Sequence, residues 1–287
     1  MVLTAAGTGT KVAPDATRPF AVELEDVAIS FATPAGGVHN VLRGISLAVP
    51  DGTFVAIVGP SGCGKSTLLN VAAGLLEPWE GRVRVFGEPL RGTNRYAAYL
   101  FQQDALLPWR TVLGNVMLGL SLRGTGRREA MAEAREWVAR VGLRGFEDRF
   151  PHQLSGGMRK RVAVAQSWIV DPRILLMDEP FSALDVQTRQ SMENELLELW
   201  QERRKTVLFI THDLEEAIAL ADEVVVITAG PEATIKGRYP VGLARPRDVA
   251  EIRLNPEFSV LYRQIWDDLR IEVKRSQAAT PGSGAPG

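Results

Sequence analysis

The run Gly59-Pro60-Ser61-Gly62-Cys63-Gly64-Lys65-Ser66-Thr67 constrains this chain more than any other stretch, because it fits the spacing G-x-x-x-x-G-K-[ST]. It follows Phe54–Val58 (FVAIV), a short continuous apolar run of the kind that forms a strand buried on both faces. It opens onto Thr67–Leu76, whose apolar spacing is compatible with a helix. A strand, a glycine-rich turn and a helix start fold into an anion-binding concavity lined with amide N–H groups, and the helix N-terminus adds partial positive charge there. In that setting Lys65 reaches the outer phosphates of a nucleotide and the Ser66 hydroxyl ligates Mg²⁺. Cys63 reads as a small residue that fits the turn, and its place at a helix N-terminus predicts a lowered thiol pKa.

The same alternation recurs along the chain. Ile174–Met177, Val207–Ile210 and Val224–Ile227 are further short apolar runs, and Phe20, Val22, Leu24, Val27, Ile29 and Phe31 are spaced as a strand with one irregularity near Asp26. Met192, Leu196, Leu199 and Trp200 form a helical stripe, with Glu193, Glu195, Glu198, Arg203 and Arg204 on the other positions; residues 127–141 form a second amphipathic candidate. Strands alternating with helices predict an α/β fold with a mostly parallel sheet. The 287 residues are 45% hydrophobic and 23% charged, which excludes global disorder. With 33 Lys and Arg against 34 Asp and Glu, the formal charge of −1 argues against a strongly basic nucleic-acid binder. A single cysteine excludes an internal disulfide framework and a cysteine-rich zinc site. No stretch approaches the roughly 20 apolar residues that cross a bilayer, and the first residues lack the pattern of a secretory signal. These features predict a soluble intracellular protein with a flexible arm over residues 1–19 and a disordered tail over 276–287, both rich in small residues and proline.

Two further groups of residues stand where ligands gather in α/β sheets, at strand ends. Asp178 and Glu179 close the run Ile174–Met177; Asp178 can hold Mg²⁺, and Glu179, pointing to the opposite face if the strand continues, can polarise an attacking water. His212 closes the following strand, where it can contact the terminal phosphate, whereas His39 and His152 read as structural. Leu154-Ser155-Gly156-Gly157-Met158 precedes a helix-like run starting Arg159-Lys160-Arg161; Ser155 is a good N-cap and the two glycines make a second anion-binding helix start.

With LSGGM in place of the usual LSGGQ, the chain resembles the ATP-binding-cassette (ABC) ATPases. The family's motifs occur in order over about residues 20–228: the phosphate loop Gly59–Thr67, the Q-loop glutamine Gln102, the signature Leu154–Met158, the acidic strand end Asp178-Glu179, the D-loop Ser182-Ala183-Leu184-Asp185 and the switch His212. The resemblance implies a P-loop NTPase core with a mostly parallel sheet, an antiparallel β edge region and a helical subdomain at about 103–170. It implies an ATPase using ATP and Mg²⁺, in which Gln102 joins Ser66 and Asp178 at the metal and Lys65, Glu179 and His212 serve catalysis. Two cassettes would pair head to tail, so that Ser155, Gly156, Gly157 and Met158 act in trans, with Asp185 at the junction. Phe31 is either a core residue of the first strand or the aromatic that stacks on adenine. Met158 and Gln166 depart from the usual glutamine and arginine at their positions, and neither touches Lys65, Asp178 or Glu179.

The segments Phe101–Arg110 (FQQDALLPWR), Asn115-Val116 and the ARPRD run ending at Asp248 resemble the nitrate/sulfonate/taurine group of bacterial importers. That likeness implies separate membrane permease subunits, a solute-binding protein acting indirectly, and a peripheral position on the cytoplasmic face of the inner membrane. Substrate choice would rest with those other chains. Leu106, Leu107 and Trp109 are then either core or part of a groove for the permease's coupling helix. The cassette is expected over 20–240, followed by a short helical extension over 241–275 carrying Phe258, Leu261, Ile265, Trp266 and Leu269 on one face. The alternative is a cassette ATPase acting on nucleic acid or ribosomes; it is disfavoured because the chain has one cassette, no heptad insertion and no net positive charge.

Overall fold

The computed structural model describes residues 19–33 and 36–279. The proposed arm falls almost wholly outside that range. Ten strands and eight α-helices follow one another in it. The first half carries β1 (Phe20–Ala32), β2 (Val38–Pro50), β3 (Phe54–Val58), α1 (Lys65–Ala72), β4 (Glu80–Val85), β5 (Glu88–Pro89) and β6 (Ala97–Leu100). Four helices come next: α2 (Val112–Val116), α3 (Leu118–Leu122), α4 (Arg127–Arg140) and α5 (Gly156–Trp168). The second half carries β7 (Ile174–Asp178), α6 (Val186–Arg203), β8 (Thr206–Ile210), α7 (Leu214–Leu220), β9 (Glu223–Ile227), β10 (Ile235–Pro240) and α8 (Pro256–Ala279).

The strands form two sheets. Six pair in the order β10-β9-β3-β8-β7-β6, parallel except for β10, which runs antiparallel at one edge. Four more form an antiparallel sheet in the order β2-β1-β4-β5. The long segment between Phe31 and the phosphate loop therefore holds β2, folded back on β1, ahead of β3. Near Asp26 the register of β1 slips against both neighbours, and Asp26 takes a left-handed backbone (φ 50°). That is a β-bulge, and it explains the break in alternation.

β3 shows how the core divides. Phe54, Ala56 and Val58 face a core shared with the helices α2, α4, α5, α6, α7 and α8. Val55 and Ile57 face a second core, shared with α1 and the antiparallel sheet. Alternate residues of a strand point to opposite faces, so α1 and α5 lie on opposite faces of the six-stranded sheet. Helix α1 starts at Lys65 and ends at Ala72, earlier at both ends than the run Thr67–Leu76 suggests. The stop is a left-handed turn at Gly74 (φ 67°), from which the Leu75 amide donates back to the Asn70 carbonyl.

Three other expectations need correction. Glu193, assigned to the polar positions of α6, is fully buried because that helix face packs toward α7 as well as the sheet core. Trp266 is 40% exposed, while Phe258, Ile265 and Leu269 carry the packing of α8. Helix α8 runs to Ala279, so Ser276–Ala279, counted in the tail, are helical. Residues 280–287 lie outside the described range.

Candidate active site

The phosphate loop bends between β3 and α1 with Gly64 as N-cap in left-handed backbone (φ 101°). A Cβ on Gly64 would lie 2.8 Å from side-chain atoms of both Val41 and Leu42, so only glycine suits the position. Lys65 is buried, and its Nζ donates to the carbonyls of Gly59 (2.9 Å) and Pro60 (3.0 Å). Those two bonds aim the ammonium along the loop's inner face. The Cys63 side chain is 1% exposed and packs in the core beneath the loop. Burial pushes its thiol up, against the opposing pull of Lys65 and the backbone amides. The expected lowering is therefore overturned: losing hydration costs the thiolate more than the helix terminus returns. Cys63 contributes to the loop through its backbone.

Asp178 is the last residue of β7, parallel to β8 and in register with Ile210. Its Oδ1 accepts from the Ser66 hydroxyl at 3.0 Å, which joins the two proposed metal ligands directly. Burial raises the Asp178 carboxyl, and the Ser66 hydrogen bond offsets part of that rise. Tyr99 Oη stands 3.5 Å from Asp178 Oδ2, with its ring stacked on Phe101 at 4.2 Å. Burial, then the Asp178 charge, pushes the Tyr99 phenol up, so it stays a neutral donor.

Glu179 departs from the expected strand geometry. β7 ends at Asp178; Glu179 takes a left-handed backbone (φ 43°) and its amide donates to Ile210 O at 2.9 Å. That turn, more than strand alternation, aims its carboxylate. Glu179 Oε2 lies 3.0 Å from His212 Nδ1. The carboxylate is the acceptor, so Nδ1 carries the proton and Nε2 is free for another partner.

Ser155 caps α5, its hydroxyl accepting from the Met158 amide at 3.3 Å. Gly156 and Gly157 form the first turn, and a Cβ on Gly157 would sit 2.7 Å from Thr188 Cγ2 on α6. The signature turn and the D-loop helix thus meet so closely that a larger residue at Gly157 would force the Thr188 side chain to shift. Asp185 caps α6 and accepts from the Thr188 amide at 3.0 Å. The Met158 side chain packs against the helical core.

Gln102 is exposed in the loop after β6. Its carbonyl accepts from Lys160 Nζ at 2.7 Å, as does that of Phe101 at 3.1 Å, and Lys160 also pairs with Asp104 (3.1 Å). Arg159 Nε reaches Asp104 Oδ2 at 3.1 Å. This tie between the Q-loop and the signature helix was not read from the sequence; the signal was the basic run Arg159-Lys160-Arg161 one residue past the signature. Phe31, next to last in β1, is 43% exposed, an exposed aromatic and no core residue. Leu106 is core, whereas Trp109 is 72% exposed.

Residues 42–182 match the family described as ABC transporter. An uncharacterized ABC transporter ATP-binding protein of Methanocaldococcus jannaschii is 48% identical over 84% of this chain and 88% of its own length. The chain belongs to the ABC transporter family. The cassette is also 42% identical to the taurine import ATP-binding protein TauB of Pseudomonas aeruginosa, over 89% of this chain and 97% of that protein. Among solved structures, a dimeric ATP-binding cassette in a post-hydrolysis state, bound to ADP and Pi, superposes with a TM-score of 0.68. It is 29% identical and covers 78% of this chain and all of its own. The cassette is an ATP-binding subunit that hydrolyses ATP. No helix among its described residues is long and apolar enough to cross a membrane.

Proposed function

We propose that the cassette powers import of a small solute of the taurine, sulfonate or nitrate class through separate permease subunits, as a head-to-tail dimer on the cytoplasmic face of the membrane. The likeness to TauB over nearly all of that protein's length supports the solute class. The observation that carries the dimer is internal to the chain: the phosphate loop opens α1 on one face of the sheet and the signature turn opens α5 on the other. Helix starts carried on opposite faces of one sheet suit two different phosphates better than one. In two chains related by a two-fold axis, each loop can face its partner's signature.

In that composite site Lys65 and the loop amides hold the outer phosphates, and Ser155, Gly156 and Gly157 close over the terminal phosphate from the partner. Phe31, exposed near the end of β1, stacks on adenine. Ser66 and Asp178 form a hydroxyl–carboxylate pair of hard oxygen donors, the chemistry Mg²⁺ prefers, with Gln102 as a further ligand. Among the described residues no group of three or more His, Cys, Asp and Glu side chains could hold a metal, which suits an ion shared with the nucleotide's phosphates. When bound, Mg²⁺ neutralises charge on those phosphates. Glu179 takes the proton of the attacking water, and His212, fixed through Nδ1, orients that carboxylate and turns Nε2 toward the terminal phosphate. Asp185 sits at the dimer junction. Exposed Trp109, beside the Q-loop, is the anchor for the permease. Co-purification with the permease and reconstitution in vesicles tests this reading. ATP turnover stimulated by the cognate solute-binding protein, together with uptake of a sulfonate or nitrate, is expected. Recovery of ribosomes or DNA with no membrane protein would overturn it.

A further inference from the structure

Behind His212 lies a buried acidic pair that the hydrolytic roles above leave unused. Glu193 on α6 is fully buried and Glu216 on α7 is 5% exposed. Their carboxyl groups lie within interaction range of each other. Neither oxygen of Glu193, nor Oε1 of Glu216, has a donor among the described residues. Two ionised carboxylates are acceptors only, so these two can bond to each other only if a proton lies between them.

The surroundings connect this pair to both halves of the site. Thr211, immediately before His212, hydrogen-bonds the Glu216 carboxyl through its side chain, and its Oγ1 also accepts from the Asp213 amide at 2.9 Å. Asp213 caps α7, accepting from the amides of Glu215 (2.9 Å) and Glu216 (3.2 Å). From α6, Arg189 Nη1 lies 3.8 Å from Asp213 Oδ2, and its Nη2 donates to the D-loop carbonyl of Leu184 at 3.0 Å. Arg253 approaches from the turn Ile252–Leu254 and pairs with Glu215 at 3.4 Å. Tyr262 of α8 faces Glu215 and Asp213.

We propose that Glu193 and Glu216 are positioning residues of the ATPase site, in which one shared proton clamps the switch helix α7 to the D-loop helix α6 and so holds His212 against Glu179. Burial raises both carboxyl groups; the Glu193 charge adds to the rise at Glu216, while the interaction with Glu216 lowers Glu193, so the proton resides on Glu216. The pair therefore keeps its proton near neutrality. When the pH rises through the raised ionisation, two like charges face each other in a dry site; α7 moves away and His212 loses its alignment.

The inference rests on the roles given to His212 and Glu179, so the test separates the two. In the full-length chain, kcat and KM for MgATP are measured at about pH 7 and about pH 9, a range that brackets buried glutamates with strongly raised pKa. Populations controlled by one proton shift tenfold per pH unit. The wild type is expected to lose roughly tenfold in kcat across that range with KM unchanged. Glu216→Gln carries the charge of the one-proton pair permanently and supplies the donor itself, so its loss is expected to stay under about twofold. Glu193→Gln places the amide on the other helix and should flatten the profile likewise, which keeps the test valid if either variant folds poorly. Circular dichroism melts at both pH values should show all proteins folded. An alkaline fall in both glutamine variants equal to that of the wild type would overturn the clamp, as would unfolding that parallels the lost activity. A fully active His212→Ala would instead overturn the role of His212, and the clamp with it.

Discussion

Glu179 illustrates what a single residue's backbone decides. A carboxylate at the end of an apolar strand is visible in the sequence, and so is a histidine at the end of the next one. Their 3.0 Å contact depends on a left-handed turn at Glu179, and nothing in the residue type announces that turn, since glutamate seldom adopts it. Glu179→Gln keeps the shape and removes the carboxylate proposed as the base. ATP turnover, followed as phosphate release, is expected to fall about 10²–10⁴-fold, with nucleotide retained and a closed dimer eluting early in size exclusion. Cys63 makes the opposite case. Its motif position suggests a reactive thiol, but the sulfur lies in the core and burial raises its pKa. Native protein should resist a maleimide equally with and without ATP, and label within minutes in urea; fast labelling of the folded chain would contradict this placement.

Helix α7 shows how an element with modest propensity is held by groups remote in sequence. It spans only Leu214–Leu220, short of the length at which isolated helices persist. At its start Asp213 accepts two amide N–H groups. At its end the buried Arg247 guanidinium donates to the carbonyls of Ile218 (3.3 Å), Ala219 (3.2 Å) and Ala221 (2.7 Å), and also to Leu243 (2.8 Å). Arg247 thus satisfies carbonyls that a helix end leaves unpaired and ties the C-terminal extension to the switch. Arg247→Ala should cost on the order of 3 kcal/mol in urea unfolding, because several buried carbonyls lose their donor together. A change below about 0.5 kcal/mol, the scale of an ordinary surface substitution, would show the staple to be dispensable. Amphipathic α4 could be read from residue spacing alone. The embedded Glu193 of α6 could not, because periodicity assigns a polar residue to solvent unless a partner helix is known.

At the scale of the whole molecule, α1 and α5 lie on opposite faces of the six-stranded sheet, and the proposed head-to-tail site has a direct consequence for mixtures of defective chains. Lys65→Ala should inactivate the site built on its own loop, and Ser155→Arg the site completed by its own signature. Mixed together, the two chains form some dimers in which one site carries both defects and the other carries none. Partial recovery of ATPase activity in the mixture, absent from either variant alone, is expected; no recovery would argue that each chain completes its own site. The sequence by itself determined the α/β class, the nucleotide loop, the acidic strand end and the signature turn, because each depends on local backbone chemistry at fixed spacing. Only the tertiary structure decided which face of the sheet each motif occupies, which acidic side chains are desolvated and what a thiol in the loop can do. Those outcomes depend on what packs against a residue from distant parts of the chain, and burial reverses the expectation drawn from residue type whenever desolvation outweighs the local field.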